Sequence, residues 1–144
     1  MADLGVSQKP IVMPSYPHML AEDTAVWSKY LAAPVHRIKE VWYDVHVGRP
    51  VSGVKPDDKL GMRIASGITR KRIDVVARVG GGLWVVEIKP FAGMMALGQI
   101  LSYTRLFIEE YRPEEEVRSV VVCDSLDPDL VDEFEDMGVV VIET

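Results

Sequence analysis

Two carboxylates and a lysine stand within otherwise apolar runs: Asp74 in Ile73-Asp74-Val75-Val76, and Glu87 and Lys89 in Val85-Val86-Glu87-Ile88-Lys89. Charges in such surroundings are costly unless they are paired or hold a cation. Two carboxylates close together repel, and a divalent cation relieves that repulsion. Oxygen donors favour Mg²⁺ or Mn²⁺ over zinc. Hydrolysis of a phosphodiester uses such a set. Asp74 and Glu87, with the backbone carbonyl of Ile88 as a further ligand, would hold one or two Mg²⁺ ions against the phosphate. Lys89 would orient or deprotonate the attacking water, or offset charge developing on the phosphate. The same three residues could instead form a plain ion pair of Lys89 with Glu87 or Asp74 on a sheet edge, worth little by itself.

The elements that must position them follow from hydrophobic periodicity. Residues 72–79 and 83–89 are short β-branched runs separated by Gly80-Gly81-Gly82, which predicts a hairpin that brings Asp74 across from the second strand. Glu87 and Lys89 are two apart and project from one face of that strand. Pro90 cannot donate to a ladder and is expected to close it. Upstream, residues 1–17 carry Pro10, Pro14 and Pro17 and read as an extended arm, followed by one domain over 18–144. Met19, Leu20, Val26, Trp27, Tyr30 and Leu31 recur at helical spacing from about His18 to Leu31. Ile38 to Val47 alternates as a half-buried strand, with Val41, Tyr43, Val45 and Val47 on one face and Glu40, Trp42, Asp44 and His46 on the other. Trp42 on that polar face suggests an interface or a stacking platform for a base. Residues 48–60 read as a loop. Ala92 to Tyr111 predicts a long helix, Val117 to Asp124 a buried strand, Asp127 to Met137 a short helix and Val139 to Glu143 a last strand. The order is α/β: a mixed central sheet flanked by helices, αβββαβ plus a C-terminal helix and strand.

On the long helix Met95, Gln99, Tyr103, Leu106 and Phe107 share a face by spacing of three and four. Gln99 there is a core amide bonded to the backbone, or a group facing the metal site with Tyr103 near substrate. Met94 and Met95 are expected to pack. The histidines His18, His36 and His46 show no metal spacing.

The 144 residues, 48% of them hydrophobic and 26% charged, suit one compact domain. The single Cys123 lies in an apolar run and has no partner for a disulfide. No apolar run approaches a membrane span, and the first residues lack a signal-peptide layout. A soluble, cytoplasmic protein without a membrane partner is expected. The net charge of −6 argues against a nonspecific coat for nucleic acid. Lys55, Lys59, Arg63, Arg70, Lys71 and Arg72 nevertheless form a local basic stretch. Of these, Arg63, Arg70, Lys71 and Arg72 are the candidates for contact with nucleic-acid phosphates; a solvated loop and strand end is the plainer alternative.

Taken together, Asp74, then Glu87-Ile88-Lys89, then Gln99-Ile-Leu-Ser-Tyr103 resemble the PD-(D/E)XK nuclease superfamily, and Gln99 with Tyr103 is similar to the third motif of its RecB-like branch. The resemblance covers roughly residues 18–124, with Ile73 in place of the proline that names the motif. It implies a restriction-endonuclease-like core, Asp74 and Glu87 as metal ligands, Lys89 as the catalytic lysine, and Gln99 and Tyr103 as accessory catalytic residues. It implies a further acid from the first helix: Glu22 matches best, ahead of Asp23 and Glu40. The expected function is Mg²⁺- or Mn²⁺-dependent cleavage of DNA, with a homodimer if both strands are cut. The other reading is a nuclease-fold protein without activity, used for assembly or nucleic-acid binding.

Overall fold

The computed structural model describes residues 1–50, 57–61 and 70–144. Residues 51–56, within the expected loop, and Arg63 lie outside them. A five-stranded sheet runs in the order β1-β2-β3-β4-β5. Its strands are β1 (Ile38–Val47), β2 (Lys71–Val79), β3 (Gly82–Ala92), β4 (Val117–Leu126) and β5 (Val139–Glu143). The first three are antiparallel neighbours, and β3, β4 and β5 run parallel. The helices that pack on it are α1 (Ala21–Ala32), α2 (Met94–Tyr111) and α3 (Val131–Asp136), the last entered through a 3₁₀ turn at Pro128–Leu130. The expected helix over Asp127–Met137 is thus divided, and Asp127 accepts the Asp129 N–H at its start. Among the described residues no helix is long and apolar enough to cross a membrane.

Each face of the sheet carries its own core. On one, Val26, Trp27, Tyr30 and Leu31 of α1 meet Val41, Val75, Val86, Ile88, Val120 and Val122. On the other, Ala96, Ile100 and Phe107 of α2 and Phe134 of α3 meet Val45, Ile73, Val76, Val85 and Val121. A strand covered on both faces can be apolar throughout, which is why β3 is buried from Leu83 to Ile88 with Glu87 as its one ionisable member.

Two expectations are corrected here. In β1 the alternation reverses at Asp44, which takes φ 55°. Val41 belongs to the α1 side and Trp42 to the α2 side, but Val45 and Val47 also face α2. Trp42 is therefore a core residue and not part of an exposed polar face. Its indole N–H donates to Gly5 O at 3.0 Å, and the Arg78 guanidinium lies 5.6 Å over its ring. Pro90 does not close β3 either, since Phe91↔Ser125 and Ala92↔Leu126 continue the pairing with β4. The ladder with β2 has already ended at Val75↔Val86, so the proline's missing N–H removes no rung on that side.

The N-terminal residues lie against the rim of this sheet. Gln8 and Val41 exchange both backbone hydrogen bonds, at 2.8 and 2.9 Å, and Ala2 N–H donates to Glu110 O at 3.0 Å. Tyr16 is buried, with its hydroxyl 2.8 Å from Ser28 Oγ.

Candidate active site

The hairpin expected at the three glycines is present, with Val79↔Gly82 as its last pair and Gly80 at φ 59°. A positive φ at the first position of a two-residue loop is what glycine supplies without steric cost. From this turn the two strands pair for five rungs and then part beyond Val75↔Val86. The next residues in line are Asp74 and Glu87. The parting leaves the Ile88 N–H without a partner on β2, and Asp74 Oδ2 accepts it at 2.9 Å. The N–H and C=O of one strand residue point the same way, so the Ile88 carbonyl also faces the gap between β2 and β3.

Glu87 is only 4% exposed. Its Oε1 lies 3.7 Å from Lys89 Nζ, while Oε2 is buried with no hydrogen-bond partner. Burial, then the Asp74 charge, pushes the Glu87 carboxyl well above the usual range, against the pull of Lys89. Asp74 is raised as well: burial is the main cause, the Ile88 N–H opposes it, and Asp23 adds to it. The Tyr103 hydroxyl is raised by burial and then by Glu87 and Asp74, with a hydrogen bond from Gln99 acting the other way. Asp74, Glu87, Lys89, Gln99 and Tyr103 are thereby brought into one electrostatic neighbourhood. Gln99 Oε1 is the second buried acceptor without a partner among the described residues.

Of the two acids at the start of α1, Asp23 rather than Glu22 lies near Asp74, Glu87 and Lys89. Asp23 feels Lys89 after its own burial, and it raises both Asp74 and Glu87, whereas Glu22 is exposed. The reason is helical register: Asp23 precedes Val26, Trp27 and Tyr30 by three, four and seven residues, on the face α1 turns to the sheet. Glu40 lies elsewhere, paired with Arg78 at 2.7 Å.

Two of the three described basic candidates are already engaged. Arg70 bonds Glu110 Oε1 at 2.6 Å and Gly48 O at 2.8 Å, tying β2 to α2 and to the end of β1. Arg72 grips Asp44 side-on, Nε donating to Oδ1 at 2.7 Å and Nη2 to Oδ2 at 2.9 Å. Lys71 is exposed. The sequence placed His46 on one strand face with Asp44, and its Nε2 stands 3.5 Å from Oδ2. Sequence reasoning missed that His18 joins them, its Nε2 3.8 Å from the same oxygen, because it lies on a separate element with no fixed spacing.

Among the described residues no three His, Cys, Asp or Glu side chains are arranged to hold a metal ion between them. The donors present still suit a hard cation. Mg²⁺ is commonly held by one or two carboxylates, with water and substrate phosphate completing its shell. Two adjacent carboxylates held above their usual pKa, one with an unpartnered buried oxygen, are what such a cation would relieve.

No protein-family model and no curated relative matches this sequence. The structure is similar to that of a repair endonuclease from Pyrococcus abyssi, with TM-score 0.54 and 20% identity over 90% of this chain and 48% of that one. A weaker likeness, TM-score 0.45 and 22% identity, is to EndoMS bound to double-stranded DNA, covering 67% of this chain and 36% of that one. This chain spans about half the length of the first. The mixed, helix-flanked α/β sheet is thus a fold shared with a repair endonuclease.

Proposed function

We propose that this protein is a Mg²⁺- or Mn²⁺-dependent nuclease that hydrolyses DNA phosphodiester bonds, acting through Asp74, Glu87 and Lys89. The observation that carries the reading is the buried Glu87 carboxyl beside Asp74, at the point where β2 and β3 part. Asp74, Glu87 and the Ile88 carbonyl would hold the cation, and Asp23 is better placed than Glu22 to add a fourth oxygen. The cation would supply an activated water and polarise the phosphate. Lys89, beside Glu87 Oε1, would offset the negative charge that develops as the water oxygen gives its proton to solvent and bonds to phosphorus, while the ester oxygen leaves and takes a proton from solvent. Gln99 and Tyr103 sit on the α2 side of the same site and hold the phosphate or its water. This is the role that a third motif of RecB type would give them. The fold shared with a repair endonuclease supports the same chemistry. A homodimer would place one such site on each strand of a duplex.

The test is cleavage of single-stranded, duplex and branched DNA with Mg²⁺ or Mn²⁺, with Lys89→Ala and Glu87→Gln proteins in parallel. Metal-dependent cutting that both substitutions abolish is the expected result. No cutting of any substrate would leave the inactive, assembly or binding role in its place.

A further inference from the structure

The step from β3 into α2 carries an apolar surface that neither the core nor the proposed chemistry uses. Phe91 is 54% exposed, Met94 77% and Met95 72%, although packing was the expectation for the methionines. Phe91 follows Lys89 by two residues on the same strand, about 7 Å further along. Met95 stands one helical turn before Gln99 on the same helix face. The apolar surface therefore adjoins the residues of the site. Phe91 is exposed with one ring edge beside the backbone of Gly93, where a Cβ would lie 3.2 Å from the ring. An exposed aromatic ring offers a flat apolar face.

We propose that Phe91, flanked by Met94 and Met95, stacks an unpaired nucleobase next to the bond being cut, so that the substrate is single-stranded or locally unpaired DNA. The proposal rests on the nuclease reading of Asp74, Glu87 and Lys89. A base is the occupant that the charges favour. The chain carries −6, and Arg70 and Arg72 are bound to carboxylates of the protein itself. With these two cations engaged, contacts that do not depend on charge would add to the attraction that exposed Lys71 supplies. Stacking on an aromatic face is such a contact, and any base can make it.

The experiment measures binding of fluorescent single-stranded, duplex and centrally mismatched oligonucleotides in Ca²⁺, to the full chain and to its Phe91→Leu and Phe91→Trp variants. A 2-aminopurine base in the same strands reports stacking. The expected result is about 5- to 150-fold weaker binding of single strands by Phe91→Leu, the range equivalent to one lost stacked base. Phe91→Trp should bind within a few-fold of the parent, and the 2-aminopurine quenching should survive only with an aromatic residue. Equal binding by Phe91→Leu and the parent on every substrate would overturn the platform while leaving the nuclease reading intact. A dimer that Phe91→Leu splits, with DNA affinity unchanged, would assign the surface to self-association and overturn it too. Absence of DNA binding by the parent protein would overturn the nuclease reading and this inference together.

Discussion

At the scale of single residues, the buried carboxylates make the stability of this protein depend on pH in an unusual direction. Asp74 and Glu87 are both held above their ordinary pKa. Below about pH 4 both are protonated whether the chain is folded or not, and they cost nothing. As pH rises past the unfolded pKa of about 4, the unfolded chain loses these protons first, so the metal-free protein weakens up to the folded pKa values. Mg²⁺ bound to the ionised pair would reverse this. The increment in Tm on adding Mg²⁺ should therefore grow between pH 5 and 8, and Glu87→Gln should raise the metal-free Tm while abolishing the increment. Thermal melts with and without Mg²⁺ check it; a Glu87→Gln protein that melts lower without metal would disprove the account. The basic residues divide in the same terms. Arg70→Ala strands the half-buried Glu110 and should cost on the order of 1–3 kcal/mol in denaturant unfolding, with little change in the salt dependence of DNA binding. Lys71→Ala should do the opposite, lowering the slope of log affinity against log salt by about 1 unit without affecting stability.

At the scale of elements, the strands and helices were legible because their periodicity is strong: β1 spans Ile38–Val47 as expected, and α2 departs by only two residues at its start. What could not be read was where a period reverses. A positive φ at Asp44 exchanges the faces of β1, and nothing in the composition of Val41-Trp42-Tyr43-Asp44-Val45 announces it. Trp42 was misplaced because the face opposite Val41 is covered too, by the α2-side core and by the N-terminal residues at Gly5. The candidate residues were legible as types, and Asp74, Glu87, Lys89, Gln99 and Tyr103 lie in one neighbourhood. The choice between Glu22 and Asp23 turned on helix rotation, about 100° between adjacent residues, and sequence alone did not fix it. The corrected place of Trp42 makes a prediction. Trp42→Ala should cost about 3–5 kcal/mol, as emptying a buried aromatic position does, whereas a surface tryptophan would cost less than about 0.5 kcal/mol. Urea unfolding of the two proteins decides between these values.

At the scale of the whole molecule, the N-terminal residues join parts that the sheet alone does not. Residue 2 reaches the end of α2, residues 5 and 8 reach β1, and Tyr16 packs into the α1-side core. The Gln8–Val41 pair lies on the outer side of β1, an edge strand of the sheet. An uncovered edge is a template for strand pairing between molecules. Removing residues 1–15 would strip that cover, take Gly5 O from the Trp42 indole and break the contact at Glu110, while leaving the Asp74–Glu87–Lys89 neighbourhood untouched. The truncated protein should melt lower and self-associate, with larger species in size-exclusion chromatography. At concentrations where it stays monomeric, it should retain Mg²⁺-dependent stabilisation. A truncated protein that is monomeric and as stable as the parent would show these residues to be dispensable. Loss of the Mg²⁺ effect in the monomer would show instead that they support the site through β1.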